Sequence, residues 1–263
     1  MLPRRVVPGR VCFVTRRCTQ RQFLLRPDDK VNQAIEYCFG EAVNRFGLIP
    51  LCFEAMSNHI HFVVFDPHGV LPAFMAHFHR MVAKVVNCRL GRWENLWSTE
   101  QPNVVECVEP EDGFGKMIYT LTNPLQNHLV ERAHHWPGVS SLRAQLGDKP
   151  VRVRRPHWYF DKEGKMPLYV EFRYGRIPGF EHLSHEEWAK KIRAAIAAEE
   201  EKAADERRKT RIPILGVHAI KDQSPYETPA TSEDRFGITP RVAAKSKWAR
   251  IEALQRHKRF VAA

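Results

Sequence analysis

The chain has 263 residues, 43% of them hydrophobic, enough for one large domain or a domain with extensions around a real core. No apolar run of about 18 residues occurs, which argues against a membrane-spanning helix, and the charged opening MLPRRVVPGR lacks the apolar stretch of a secretory leader. A formal charge of +11 and a pI of about 9.5 point to a polyanionic partner, nucleic acid first, with a membrane surface as the rival.

The charge is uneven. Residues 1–27 hold seven arginines and no acid, and residues 241–263 hold seven Lys/Arg against Glu252 alone. The two ends read as arms that contact phosphate, the plain alternative being solvated surface. The six cysteines (Cys12, Cys18, Cys38, Cys52, Cys88 and Cys107) form no CxxC pair and mostly sit in apolar runs. That pattern predicts buried thiols, a reducing cytoplasmic compartment, and neither a disulfide frame nor a zinc finger.

In chain order, VCFVTRR at 11–17 reads as a strand. Asp28 and Asp29 open a helix whose apolar positions Val31, Ala34, Ile35, Cys38, Phe39, Ala42, Val43 and Phe46 keep helical spacing until Gly47. LIPLCFEA at 48–55 is a second strand. A turn at Met56–Ser57–Asn58 leads to a third, HIHFVVF at 59–65, apolar on both faces after its histidines and therefore expected mid-sheet. Residues 70–90 read as a helix, 102–108 as a strand, and 112–122 as a helix running to Asn123–Pro124. This order gives an antiparallel sheet with helices packed on it. Periodicity weakens over 150–182. Residues 184–209 form a very polar helix, read as exposed or bridging. Residues 210–240, with Pro213, Pro225, Pro229 and Pro240, read as a linker, and 241–261 as a short basic helix.

Two His-x-His pairs differ in what their geometry allows. His59 and His61 lie in a strand, where positions i and i+2 share a face and can share a metal. His77 and His79 lie in a helix, roughly 200° apart, and cannot. Tyr119 and Asn123, four apart, share a helical face. If that face packs over the histidine strand, Asn123 adds a carboxamide oxygen and Tyr119 presents its hydroxyl. Such a donor set suits Mg²⁺ or Mn²⁺. Pro124 argues for a helix stop at Asn123. Glu54 is a candidate partner behind the histidines. Trp93, Trp97 and Phe114 are candidates to stack on splayed bases.

Several segments, in order, resemble the single-tyrosine HUH transposases of the REP-associated type. VCFVTRRCTQRQFLL is similar to their opening strand, through Val14, Thr15 and Arg17. CFEAMSNHIHFVV resembles their Met-Pro-Asn-His-x-His strand, with Ser57 where proline is usual. WENLWS at 93–98 and YTLTNPL at 119–125 resemble two further segments, and WPGVSS at 136–141 resembles a fifth with altered order and spacing. The similarity spans roughly residues 8–143.

The resemblance implies an α+β fold, a ferredoxin-like antiparallel sheet with packed helices over 8–148. A partly helical basic extension follows over 149–263, with a charged helix at 184–209 and a basic tail at 241–259. It implies a divalent metal held by His59, His61 and Asn123. Tyr119 would attack single-stranded or hairpin DNA, such as REP-like repeats, leaving a 5′-phosphotyrosine. Arg5, Arg10, Arg16, Arg17, Arg21 and Trp97 are the expected DNA contacts. A bacterial, nucleoid-associated protein without a membrane partner is implied, with monomer or homodimer open. Two alternatives stand: a non-catalytic, domesticated hairpin-binding protein, and an HxH metal-dependent phosphodiesterase. Against the latter, Phe62–Phe65 follow the histidines in place of further ligands.

Overall fold

The computed structural model describes residues 5–231 and 240–262. Its centre is a βαββαβ unit: β1 (Arg10–Arg17), α1 (Asp29–Phe46), β2 (Ile49–Ala55), β3 (His59–Asp66), α2 (Leu71–Leu90) and β4 (Asn103–Cys107). The strands run in the order β2-β3-β1-β4, every neighbouring pair antiparallel. That order and alternation is the ferredoxin-like arrangement that the resemblance implies. β3 lies inside the sheet, as its two apolar faces require.

Local chemistry fixes the element ends. The Asp28 carboxylate accepts the Val31 amide at 2.8 Å, and Gly47 closes α1 at φ 68°, where a side chain would be strained. Asp66 gathers the amides of His68, Gly69, Val70 and Leu71 at 2.8–3.2 Å and so turns β3 into α2.

The sheet separates two cores. On one face α1 and α2 bury Phe39, Phe74 and Phe78 against Phe53 and Phe62. On the other, α3 (Pro110–Leu121) packs Met117, Ile118 and Leu121 over Phe13, Cys52 and Val63.

The structure departs from the sequence reading after residue 148. The aperiodic stretch contains a hairpin, β5 (Val151–Arg154) and β6 (Tyr169–Phe172), whose alternate residues Val153, Val170 and Phe172 join the core under α1. Each strand is four residues long, too short for periodicity to register. α6 (His185–Thr210) is not a bridging helix: Trp188, Ala189, Ile192, Ile196 and Ala203 form a buried stripe against the α3 side. These sparse apolar positions are outnumbered by charges, which hid the stripe. The sheet is mixed rather than wholly antiparallel, because β7 (Val242–Ala243) adds to β4 in parallel. α8 (Lys247–Ala262) follows and is the expected basic helix.

The stretch read as a linker is in part tied down. It holds α7 (Val217–Asp222), and Phe23 donates its amide to the Glu227 carbonyl at 3.0 Å. Residues 232–239 of it lie outside the described residues. No helix among the described residues is long and apolar enough to cross a membrane.

Candidate active site

β3 presents His59 and His61 on the face covered by α3. Their rings meet at 4.5 Å between centroids and 76°. In register, Arg17 lies beside His59, Thr15 beside His61 on β1, and Glu54 beside His61 on β2. Phe13 stacks on His61 at 5.3 Å and 21°, forming the floor.

Tyr119 comes down from α3 onto this floor. Its ring is 5.6 Å from that of His61 and edge-on to Phe13 at 5.9 Å, while 39% of the residue stays exposed. A phenol and two imidazoles about 58 positions apart in sequence thus converge. Lys116, one turn earlier on α3, holds its ammonium 5.1 Å from the Phe13 ring and 5.5 Å from the Tyr119 ring. The sequence reading omits Lys116; its i, i+3 spacing from Tyr119 is the signal that could have found it.

Asn123 falls where Pro124 was expected to break the helix. α3 ends at Leu121, Thr122 intervenes, and α4 (Asn123–Gln126) restarts at once. The pause does not swing Asn123 away. It is 3% exposed, hydrogen-bonds His59, and takes the Asn127 amide on its Oδ1 at 3.2 Å.

Both imidazoles are held through Nδ1. His59 Nδ1 lies 2.7 Å from Asn58 Oδ1, and His61 Nδ1 lies 2.9 Å from the Thr15 hydroxyl. These, and not Glu54, orient the rings. Glu54 is fully buried, and burial raises it well above the usual carboxylate range, offset only by Ser140. Burial likewise lowers both histidines. His59 falls to about 4, pushed further by Arg17 and partly restored by Asn123. His61 lies well below its ordinary value, with His59, Arg17 and Lys116 adding to burial. Both rings are neutral at pH 7, the state in which an imidazole nitrogen can ligate a metal.

The donor set fits a divalent ion on one condition. Among the described residues no group of three or more His, Cys, Asp or Glu could hold a metal. A third protein ligand would therefore come from outside those residue types, and the carboxamide of the buried Asn123 is the candidate. An imidazole that keeps its proton on Nδ1 offers Nε2 to a metal.

The expected DNA contacts scatter. Arg17 is exposed beside His59. Arg16 donates to the Ser98 carbonyl at 3.0 Å and also to that of Glu100, and Arg21 donates to the Thr231 carbonyl. Arg5 and Arg10 sit at the far end of β1, both on Glu106, at 3.5 and 3.2 Å. Trp97 lies in the core. It is 7% exposed and donates its indole N–H to the His79 carbonyl at 2.8 Å, so no base can reach its face. Phe114 packs on Phe180 and Trp188, whereas Trp93 is 89% exposed.

No family model matches the chain, nor does any curated protein. Among solved structures it is similar to a REP-associated tyrosine transposase bound to a REP hairpin, at 16% identity and a TM-score of 0.47, covering 63% of this chain and 95% of that one. It is also similar to a Deinococcus radiodurans R1 protein assigned as a transposase, at 18% identity and a TM-score of 0.32, covering 40% and 84%.

Proposed function

We propose that this chain is a metal-assisted DNA strand transferase in which Tyr119 is the nucleophile. The observation that carries this reading is the meeting of the Tyr119 ring with the neutral imidazole pair, 5.6 Å from His61, on a floor open to solvent at the phenol. The order of segments resembling HUH transposases supports the same assignment.

His59, His61 and Asn123 would hold Mg²⁺ or Mn²⁺. Bound there, the ion supplies positive charge that polarises a phosphate oxygen. The remaining work belongs to the chain. A phenol with an ordinary pKa near 10 is a weak nucleophile at pH 7. Lys116, with its ammonium 5.5 Å from the Tyr119 ring, would stabilise the negative charge that develops as the phenol attacks. Arg17 offers a guanidinium beside His59 for the backbone of the incoming strand. The Tyr119 oxygen bonds to phosphorus as the bond from phosphorus to the 3′ oxygen breaks. The phenol proton passes to solvent, the 3′ oxygen takes one up, and a 5′-phosphotyrosine remains. Attack by a 3′-hydroxyl reverses the step, so strand transfer conserves bond energy. DNA hairpins and adjacent single strands are the proposed substrates.

The test is a denaturing gel of labelled hairpin DNA incubated with protein and Mg²⁺ or Mn²⁺. A covalent adduct that disappears in Tyr119→Phe is the expected result. Cleavage by Tyr119→Phe at the parent rate would overturn the assignment. Free ends without an adduct would make the chain a phosphodiesterase, and tight binding without cleavage a hairpin-binding protein.

A further inference from the structure

The two basic ends singled out in the sequence meet. Residues 5–10 and 241–257 wall a cavity of about 340 Å³ at the Arg10 end of β1, on the opposite face of the sheet from Tyr119. It lies on the α2 face of the sheet, since its floor residues Cys12 and Val104 belong to the core that α2 covers or packs against it. From Arg10 to Phe13, whose ring meets Tyr119 on the other face, is three strand steps, roughly 10 Å at about 3.3 Å per residue.

Its lining has two characters. The floor is apolar: Cys12, Met75, Val104 and Val242. The rim carries three guanidinium groups, Arg5, Arg10 and Arg241, against two carboxylates. One of those, Asp66, spends both oxygens on the amides of His68–Leu71. The other, Glu106, faces Arg5 and Arg10 together. The balance is therefore positive. Arg241 is held in place by the bond from the Glu106 amide to its carbonyl at 2.9 Å, and its guanidinium lies 3.4 Å from His257 Nε2. One polar atom of the lining, Arg10 Nε, is buried without a hydrogen-bond partner, a donor that an anionic ligand would satisfy.

An apolar floor under a cationic rim selects a flat, mostly apolar body that carries an anion. The volume is at the low end of small-ligand sites, about 300–1,000 Å³, room for one base with its sugar phosphate and too little for a two-chain lipid. We propose that this cavity is a nucleotide pocket, with the base on the Cys12–Val104–Val242 floor and the phosphate between Arg5 and Arg241. It rests on the strand-transferase reading only for its expected source, a nucleotide of the DNA strand outside the cleavage site.

The test uses the full chain and a short fluorescent single-stranded DNA, read by anisotropy, with the four deoxynucleoside monophosphates as competitors. An Arg5→Gln/Arg241→Gln double variant should bind the strand about tenfold or more weakly. Val242→Trp, which fills the cavity and keeps every charge, should lose a similar factor. Lys202→Gln, an exposed charge on α6, should stay within about twofold. Circular dichroism confirms that the variants fold. Competition by monophosphates shows that a free nucleotide fits; no competition, with both variants weakened, shows that the pocket reads a base within a strand. If Val242→Trp binds as the parent does, only surface charge is acting and the pocket is refuted. Capture by phosphatidylglycerol vesicles that is lost in both variants, with DNA binding unchanged, would replace the nucleotide by a lipid. The nucleophile assignment is read by covalent adduct formation and the pocket by anisotropy without metal, so the two proposals fail separately.

Discussion

Thr15→Val isolates one atom of the candidate site. Valine keeps the β-branched shape that β1 favours and removes only the hydroxyl bonded to His61 Nδ1 at 2.9 Å. His61 is 4% exposed, so water does not readily replace the lost partner. The imidazole then either leaves Nδ1 unsatisfied, at a cost of about 1–3 kcal/mol, or moves its proton to Nε2 and blocks the ligating nitrogen. Either route weakens metal binding by about 10–100-fold, which at about 1.4 kcal/mol per decade matches that cost. Mn²⁺ titration by calorimetry measures this directly, and the Mn²⁺ dependence of adduct formation should shift by the same factor. Saturating metal should restore the adduct, and Thr15→Ser should resemble the parent. Unchanged Mn²⁺ affinity in a folded Thr15→Val protein, or a loss of activity that excess metal does not recover, would refute the view that the hydroxyl positions His61.

Other perturbations test the frame around the site. Burial holds His79 down at about 3, so between the ordinary histidine value and pH 3 the unfolded chain binds a proton the folded chain does not; stability is full above pH 7 and falls as pH drops. That group alone accounts for a loss of about 2 kcal/mol between pH 7.5 and pH 5, absent in His79→Leu, as urea unfolding at the two pH values should show. Asp66→Ala strands four amides at the β3–α2 turn and should cost about 2–4 kcal/mol in the same assay, a loss under 1 kcal/mol arguing that solvent satisfies them. At Gly40 an added Cβ would lie 2.7 Å from two ring carbons of the buried Phe172, so Gly40→Leu should push the β5–β6 hairpin off α1. The expected cost is about 3 kcal/mol, with faster proteolysis within residues 151–172.

The amino-acid sequence by itself determined the elements of the first half and the shared face of the two histidines. α1 was legible because an unbroken stripe from Val31 to Phe46 lies between the Asp28 cap and Gly47, signals that act within a few residues of one another. The facing of His59 and His61 was legible for the same reason: a strand's two-residue period is local. What needed the tertiary structure was every fact that depends on residues far apart in the chain. Thr15 and Asn58 as holders of the imidazoles follow from strand register and a turn, and nothing in the neighbourhood of either residue encodes them. Trp97 looked like a stacking surface until the packing of α2 placed the His79 carbonyl against its indole. The hairpin and β7 were hidden because strands of four and two residues carry too little pattern, and α6 because its charges mask its stripe. The joining of the basic ends around one cavity is likewise a product of folding, since β7 reaches β4 by backbone hydrogen bonds that no side-chain pattern announces.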